Sequence, residues 1–149
     1  MVIRRSSSIF VNYEDKILLL LRDDNEKIID PGVWAPVSGT IEVEENAEEC
    51  VQREVLEELE LELNPSVVRN IGLEKRPDSV NYFFLATIQK ENIDRILIKE
   101  GQDMKFVAID EARTGKIFSK KLGEYRNIAL NIQETGILEV LEQEITRQI

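Results

Sequence analysis

Cysteine, positive charge and long apolar runs are all scarce in this chain of 149 residues. Cys50 is the single cysteine, so no internal disulfide can form and a reducing compartment, by default the cytoplasm, is expected. No apolar run approaches the roughly 20 residues that a membrane-spanning helix needs. Arg4 and Arg5 are not followed by a long apolar stretch, so the N-terminus does not have the pattern of a secretory signal.

The charge balance excludes one broad class of partner. The formal net charge is −10, whereas proteins that bind polynucleotides usually present a basic face. A polynucleotide partner is therefore not expected. Hydrophobic residues make up 42% of the chain, which is enough for a substantial core, and the length suits a single domain over residues 1–149.

Hydrophobic periodicity and turn residues predict a mixed α/β domain. Strands are expected at residues 6–11, 17–21, 34–37, 67–73, 80–88 and 104–109. Residues 80–88 are apolar on both faces, which predicts a central strand that is covered on both sides. Helices are expected at 46–59 and 124–145, with Gly136 as a possible break in the second. Asn46 and Glu49 have the spacing of a capping box at the start of the first helix.

Negative charge is concentrated in residues 42–62, which contain ten glutamates and one basic residue, Arg53. Glu54, Glu57 and Glu58 have the i, i+3, i+4 spacing that places side chains on one face of a helix. This face lies beside the apolar stripe of Val51, Val55 and Leu59 rather than opposite it. A solvated acidic face is the simple interpretation of such a run.

Partial burial of three like charges is unfavourable unless a cation compensates them. An all-oxygen ligand set suits a hard ion such as Mg²⁺ or Mn²⁺. Ca²⁺ is a further possibility, although the spacing of an EF-hand loop is absent. The spacing therefore favours a divalent cation site on this helix.

The surrounding sequence is more specific than the three glutamates. Residues 39–61, GTIEVEENAEECVQREVLEELEL, resemble the Nudix box, G-x5-E-x7-R-E-U-x-E-E-x-G-U, in which U is a bulky aliphatic residue. Eight of the nine specified positions match in register, and the exception is Glu60, which stands where the family has glycine. Upstream, LLLLRDD, PGVW and PVSGTIE resemble the family's strand, loop and turn into the box.

The resemblance implies a fold and an activity. The implied fold is the Nudix-type α/β/α sandwich with a central mixed β-sheet. The implied enzyme is a pyrophosphohydrolase that uses Mg²⁺ or Mn²⁺ to cleave a phosphoanhydride bond in a nucleoside diphosphate linked to another moiety. Its partner would be a small nucleotide-type substrate, and a homodimer is possible.

The resemblance also implies roles for individual residues. Glu54, Glu57 and Glu58 would be metal ligands, and the carbonyl group of Gly39 would join them. Arg53 and Glu45 would pair and hold the loop against the helix, so Arg53 counts among the catalytic residues.

Several further residues have two interpretations. Glu100 precedes the strand at 104–109, where several relatives place a functional acid, and it is either the general base or a plain loop acid. Arg22 and Trp34 are candidate substrate contacts, although a solvated cation and a packed aromatic are the simpler assignments. Cys50 is expected to be packed.

Glu60 is the departure from the motif that has a structural consequence. The family's glycine usually ends the helix in a left-handed conformation, which would cost a glutamate about 1–2 kcal/mol. The alternation of apolar and acidic residues over 59–63 also hints at an early strand. Either the helix ends on a strained Glu60 or it ends differently.

Two other functions remain open at this point. One is a non-catalytic Nudix-fold module that binds nucleotides or regulates, although such a module would be expected to lose its metal ligands. The other is a related isomerase acting on an isoprenoid diphosphate, which would need a nucleophilic cysteine with a partner. Among hydrolase substrates, nucleoside triphosphates, nucleotide sugars, ADP-ribose and dinucleoside polyphosphates all remain possible.

Overall fold

The computed structural model describes residues 2–148 as nine strands, five α-helices and one short 3₁₀ helix. The strands are β1 (Arg4–Tyr13), β2 (Lys16–Leu21), β3 (Trp34–Ala35), β4 (Val37–Thr40), β5 (Val68–Arg76), β6 (Ser79–Thr87), β7 (Asp103–Ala108), β8 (Lys116–Ser119) and β9 (Glu124–Asn127). The helices are α1 (Ala47–Leu59), α2 (Lys90–Ile93), α3 (Ile109–Arg113), α4 (Leu130–Glu134) and α5 (Ile137–Thr146), and the 3₁₀ helix is Pro65–Val67.

Seven of the strands form one mixed sheet. Its main path runs β3-β2-β1-β6-β5, with β4 paired to β1 and β7 paired to β2. The pairing of β1 with β6 is parallel, and the other pairings in this sheet are antiparallel. Strands β8 and β9 form a separate antiparallel hairpin.

Two hydrophobic clusters cover the two faces of the sheet. Helix α1 contributes Val51, Val55 and Leu59 to one cluster, and α4 and α5 pack in the other. Neighbouring residues of β6 point to opposite faces, so Phe83 belongs to the second cluster and Phe84 to the first. This arrangement confirms the predicted α/β/α sandwich and the predicted coverage of β6 on both sides.

Helix α1 begins as the sequence predicts. The side chain of Asn46 accepts a hydrogen bond from the Glu49 backbone at 2.7 Å, and the Glu49 carboxylate accepts one from the Asn46 backbone at 2.9 Å. The helix ends on Glu60, which has φ 53° and ψ 30° and is therefore left-handed. The prediction of an early strand over residues 59–63 is wrong. Leu61 and Leu63 are buried and their neighbours exposed, but the segment pairs with no strand of the described chain.

The predicted helix over 124–145 is also wrong in its first half. Residues 124–127 form β9, and Ile128 bridges to Trp34 before α4 begins. Gly136 has φ 77° and separates α4 from α5, as its sequence context indicated. Ile128 and Ile132 have helical spacing because both reach the core, one from an extended segment and one from a helix.

The remaining strand predictions are confirmed with shifted ends. The largest extension is at β1, which begins two residues earlier and ends two residues later than expected. The segment 34–37 is divided between β3 and β4. Within residues 2–148, no helix combines the length and apolarity that crossing a membrane requires.

Candidate functional site

The acidic face of α1 is graded from buried to exposed. Glu58 is 7% exposed because it lies beside the buried stripe of the helix. The side chain of Glu54 is 16% exposed, whereas that of Glu57 is 55% exposed. The three side chains therefore extend from the protein interior to solvent along the one helix face that their spacing predicts.

Arg53 is the cation around which the acidic segment is arranged. Its Nε and Nη2 atoms donate to the two carboxylate oxygens of Glu45 at 3.0 and 2.7 Å, and Nη2 also donates to the Thr40 carbonyl at 3.2 Å. This paired hydrogen bond lowers the pKa of Glu45 to about 2 and raises the pKa of Arg53. The pairing implied by the resemblance is thus present, and it ties the loop before α1 to the helix.

The same guanidinium also faces two of the proposed ligands. Its Nη1 atom lies 2.7 Å from Oε1 of Glu54 and 3.4 Å from Oε2 of Glu57. Burial raises the pKa of Glu54, and the hydrogen bond from Arg53 opposes that change. Arg53 therefore compensates part of the negative charge on this face, but it does not reach Glu58.

Glu58 is left with an unsatisfied buried oxygen. Its Oε2 atom has no hydrogen-bond partner among residues 2–148. Burial, with further repulsion from Glu54 and Glu100, raises the pKa of Glu58 to about 8. An unpaired buried carboxylate is costly. The oxygen donors of Glu54, Glu57 and Glu58 fit a hard divalent cation, which would satisfy this oxygen.

The absence of a side chain at Gly39 leaves the space that the Glu54 carboxylate occupies. Strand β4 pairs Gly39 with Ser7 of β1, and the Glu54 side chain lies against the bare Cα of Gly39. A Cβ atom at Gly39 would overlap the Glu54 carboxyl group. Close approach, rather than a positive φ, is therefore the reason for glycine here. This places the backbone of Gly39 beside the acidic face.

Within residues 2–148, no three acidic, histidine or cysteine side chains already converge into a cage for a metal ion. Two of the carboxylates, those of Glu54 and Glu57, instead face the Arg53 guanidinium. The proposed ligands are thus neighbours on one face that are not yet directed at one point.

A loop brings Glu100 to the edge of this face. The backbone of Lys99 donates to the Glu58 carbonyl at 2.8 Å, and the backbone of Gln102 donates to the Leu21 carbonyl at 2.8 Å. Gly101 has φ 91°, and a Cβ there would lie 2.9 Å from the same Leu21 oxygen. Glu100 is exposed, and its charge contributes to the raised pKa values of Glu54 and Glu58.

Arg22 and Trp34, the two candidate substrate contacts, differ in their surroundings. Arg22 is half-buried, its Nε donates to the Ile29 carbonyl at 2.8 Å, and its charge opposes the rise in the pKa of Glu58. Trp34 is fully buried, and its ring N–H donates to the Ile117 carbonyl at 3.0 Å. The suggested stacking role of Trp34 is therefore wrong, because the core covers the ring that a substrate would have to contact.

Cys50 is buried against the end of β4. Its sulfur lies 3.7 Å from the Gly39 carbonyl oxygen and 3.6 Å from that of Thr40. Burial raises the pKa of this thiol to about 12. A neutral, enclosed thiol is a packed residue rather than a nucleophile. This removes the sequence feature that an isomerase acting through cysteine would need.

A cleft of about 550 Å³ adjoins the acidic face, and sequence reasoning did not identify most of its residues. Arg22 and Gly39 line it, as do Ser6, Ser8, Ser38 and Asn81. Ser6 and Ser8 alternate along β1, so polar residues on one face of a predicted strand were the available signal.

The site combines an acidic helix face with a glycine that admits one of its carboxylates and with an adjoining cleft. On an α/β/α sandwich, this combination is that of a hydrolase of the Nudix class. The chain belongs to the NUDIX domain family, whose model matches residues 2–126. The amino-acid sequence matches no curated protein.

Solved structures agree in fold. A mutT/nudix family protein from Listeria innocua is similar with a TM-score of 0.74 and 18% identity, covering 99% of this chain and 97% of that one. A C. elegans Ap4A hydrolase is similar with a TM-score of 0.68 and 15% identity, covering 97% and 99%.

A longer protein also contains this fold. A bifunctional NMN adenylyltransferase/ADP ribose pyrophosphatase from Francisella tularensis, complexed with AMP and a Mn ion, matches with a TM-score of 0.67 and 16% identity. The match covers 96% of this chain but 42% of that protein.

Proposed function

We propose that this Nudix hydrolase cleaves a phosphoanhydride bond in a nucleoside diphosphate linked to another moiety, with Mg²⁺ or Mn²⁺ as cofactor. The buried, unpartnered Oε2 atom of Glu58 carries the proposal, because a folded protein rarely retains such an atom without a ligand for it. The Ap4A hydrolase and the AMP and Mn complex among the similar structures support the same substrate class and cofactor.

Glu54, Glu57 and Glu58 would hold the cation, together with the carbonyl oxygen of Gly39. When bound, a divalent cation neutralises charge on the phosphate oxygens and promotes attack by water. The protein has a net charge of −10, so a polyanionic substrate needs such compensation at this face.

Residues of the protein would position the ligands and the substrate and would accept the proton. Arg53 keeps Glu54 and Glu45 in place and thereby fixes the loop that follows Gly39 and Thr40 of β4. Glu100 would accept the proton from the attacking water. One P–O bond forms to the water oxygen, the bridging P–O bond breaks, and a phosphorylated fragment leaves on each side. Arg22 would contact the substrate phosphates.

A substrate panel tests the proposal. The purified protein is incubated with nucleoside triphosphates, nucleotide sugars, ADP-ribose and dinucleoside polyphosphates, each with Mg²⁺, with Mn²⁺ and with a chelator. We expect metal-dependent release of two phosphorylated products from at least one class. Nucleotide binding without hydrolysis would instead support the non-catalytic module, and a rearranged product would support an isomerase.

A further inference from the structure

Arg126 of β9 joins the two arms of the loop between β2 and β3, residues 22–33. Its Nη1 atom donates to Oδ1 of Asp24 at 2.8 Å, and its Nη2 atom donates to Oδ2 of the same carboxylate at 3.4 Å. Nη1 also donates to the Gly32 carbonyl at 3.4 Å. Asp24 lies on the outgoing arm of this β2–β3 loop and Gly32 on the returning arm. One guanidinium from a distant hairpin therefore holds both arms together.

The β2–β3 loop is shaped around this ion pair. Gly32 has φ 68°, and a Cβ atom there would lie 2.6 Å from Oδ1 of Asp24 and 3.1 Å from Nη1 of Arg126. Glycine thus permits both the left-handed turn and the close passage of the two side chains. The backbone of Gly32 donates to the Asp23 carbonyl at 2.9 Å, which joins the arms a second time. The hydrogen bond from Arg126 lowers the pKa of Asp24, so this carboxylate is ionised at neutral pH.

Arg22 is the residue that the closed loop holds in place. Its backbone N–H donates to the Val33 carbonyl at 2.9 Å, and its own carbonyl accepts a hydrogen bond from Nε2 of Gln102 at 2.9 Å. Its side chain is oriented by the loop as well, because Nε donates to the Ile29 carbonyl at 2.8 Å. With Nε held, the direction of the Nη donors is also fixed, since the guanidinium is planar. The charge of Arg22 reaches the acidic face, where it opposes the rise in the pKa of Glu58.

Arg126 itself is engaged by carboxylates rather than free to bind an anion. Asp24 lies 2.8 Å from its guanidinium on one side and Glu124 lies 2.8 Å from it on the other. Both carboxylates are more than half exposed, so these ion pairs contribute little to global stability. The effect of Arg126 is therefore local, on the shape of the loop.

We propose that Arg126 is a positioning residue for binding of the substrate phosphates and that it acts through Asp24 and the β2–β3 loop on Arg22. Because Arg22 contacts those phosphates only under the proposed function, the role of Arg126 rests on that function. With the two arms joined, the Ile29 carbonyl stays where Nε of Arg22 meets it. Without Arg126, the arms separate and the Arg22 guanidinium loses its fixed direction.

The test uses an anion that has neither base nor sugar. Binding of tripolyphosphate with Mg²⁺ to the whole chain is measured by isothermal titration calorimetry at about 0.15 M salt, where distant charges are screened. For Arg126→Gln we expect a Kd about tenfold higher, which corresponds to the loss of one hydrogen bond to a charged group. Arg126→Lys keeps a cation beside Asp24 and should recover most of the affinity.

Asp24→Asn gives the sharpest result, because two explanations predict opposite signs. If Arg126 contacted the anion directly, or if only the summed charge mattered, loss of a carboxylate would strengthen binding. If the loop needs this carboxylate, binding should weaken instead, by about as much as in Arg126→Gln. In an Arg22→Met background, neither change should weaken binding further, because the residue on which both act is gone.

Arg113→Gln is the matched control. Arg113 also pairs with two carboxylates, those of Asp110 and Glu142, but it joins α3 to α5. Its replacement removes the same charge and the same number of ion pairs from another part of the surface. Tripolyphosphate binding should therefore equal that of the wild type.

Hydrogen exchange in the metal-free protein tests the loop without any ligand. The amide of Gly32, which donates to the Asp23 carbonyl, reports whether the two arms are joined. It should exchange faster in Arg126→Gln and Asp24→Asn, and at the wild-type rate in Arg113→Gln.

The outcomes distinguish the role of Arg126 from the proposed function. Unchanged binding in Arg126→Gln, stronger binding in Asp24→Asn, an equal loss in Arg113→Gln or no binding by the wild type would each overturn the positioning role. Hydrolysis of nucleotides alongside any of these results would leave the function standing. Weaker binding in both Arg126→Gln and Asp24→Asn, in a protein that hydrolyses no nucleotide, would support the positioning role and count against the function.

Discussion

The carboxylate of Glu60 lies 2.7 Å from the ammonium group of Lys99. The left-handed end of α1 is thereby joined to the loop that carries Glu100. The backbone hydrogen bond from Lys99 to the Glu58 carbonyl makes a second link between the same two segments. Both side chains of the ion pair are about half exposed, so it contributes only about 0.2–1 kcal/mol.

Glu60→Gly should raise the stability of the protein. Glycine relieves the cost of a left-handed backbone, and the lost ion pair with Lys99 offsets part of that gain. We expect a net increase of up to about 1 kcal/mol in the free energy of unfolding. Urea denaturation measures it, with Glu62→Gly as the matched control that should destabilise. A lower midpoint for Glu60→Gly would show that the ion pair outweighs the strain.

Glu57→Gln and Glu58→Gln should each lower kcat at least about 100-fold, because each change removes one proposed ligand and misplaces the cation. Steady-state kinetics at saturating Mg²⁺ measures this effect, and Glu62→Gln provides an exposed glutamate as the control. Turnover near that of the wild type in either variant would remove these residues from the site.

Glu58→Gln should also stabilise the metal-free protein. The pKa of Glu58 is raised from its ordinary value near 4.5 to about 8, so this group destabilises the folded state above pH 4.5, increasingly up to pH 8. We expect the variant to be more stable by about 1–3 kcal/mol at pH 7 and little changed at pH 4.5. Denaturation in a chelator measures the difference, and addition of Mg²⁺ should stabilise only the wild type. Equal stability at both pH values would mean that Glu58 is well solvated.

Glu100→Gln should separate chemistry from metal binding. Glu100 is the proposed general base and lies outside the proposed ligand set, so Glu100→Gln should lower kcat by about 10²–10⁴-fold and leave the affinity for Mn²⁺ within a few-fold. A Mn²⁺ titration and steady-state turnover on the same variant test both parts. Unchanged turnover would reduce Glu100 to a loop acid, and a joint loss of affinity and turnover would make it a ligand.

The sequence predicted those parts of the molecule in which local pattern and tertiary structure agree. The capping box at Asn46 and the shared face of the three glutamates follow from spacing along one helix. The resemblance offered a left-handed Glu60 as one of two alternatives, and the structure has that one. The resemblance added the pairing of Arg53 with Glu45, which joins residues eight positions apart.

The sequence did not predict the features that depend on residues far apart along the chain. The segment 124–127 is a strand because β8 pairs with it, although its neighbours have helical spacing. Leu61 and Leu63 alternate with exposed residues, yet no strand pairs with them in the described chain. The polar side chains that line the cleft come together only because β1, β4 and β6 meet in the sheet, and paired residues such as Ser6 and Asn81 are 75 positions apart in sequence.

The enclosure of Cys50 has a practical consequence. This sulfur lies beneath the two backbone carbonyls of β4 that border the acidic face, and it is the chain's single thiol. A thiol reagent can therefore reach it only when α1 and the segment before it separate. The rate of its alkylation therefore measures how often α1 and the segment before it separate, and a ligand that holds them together should lower this rate.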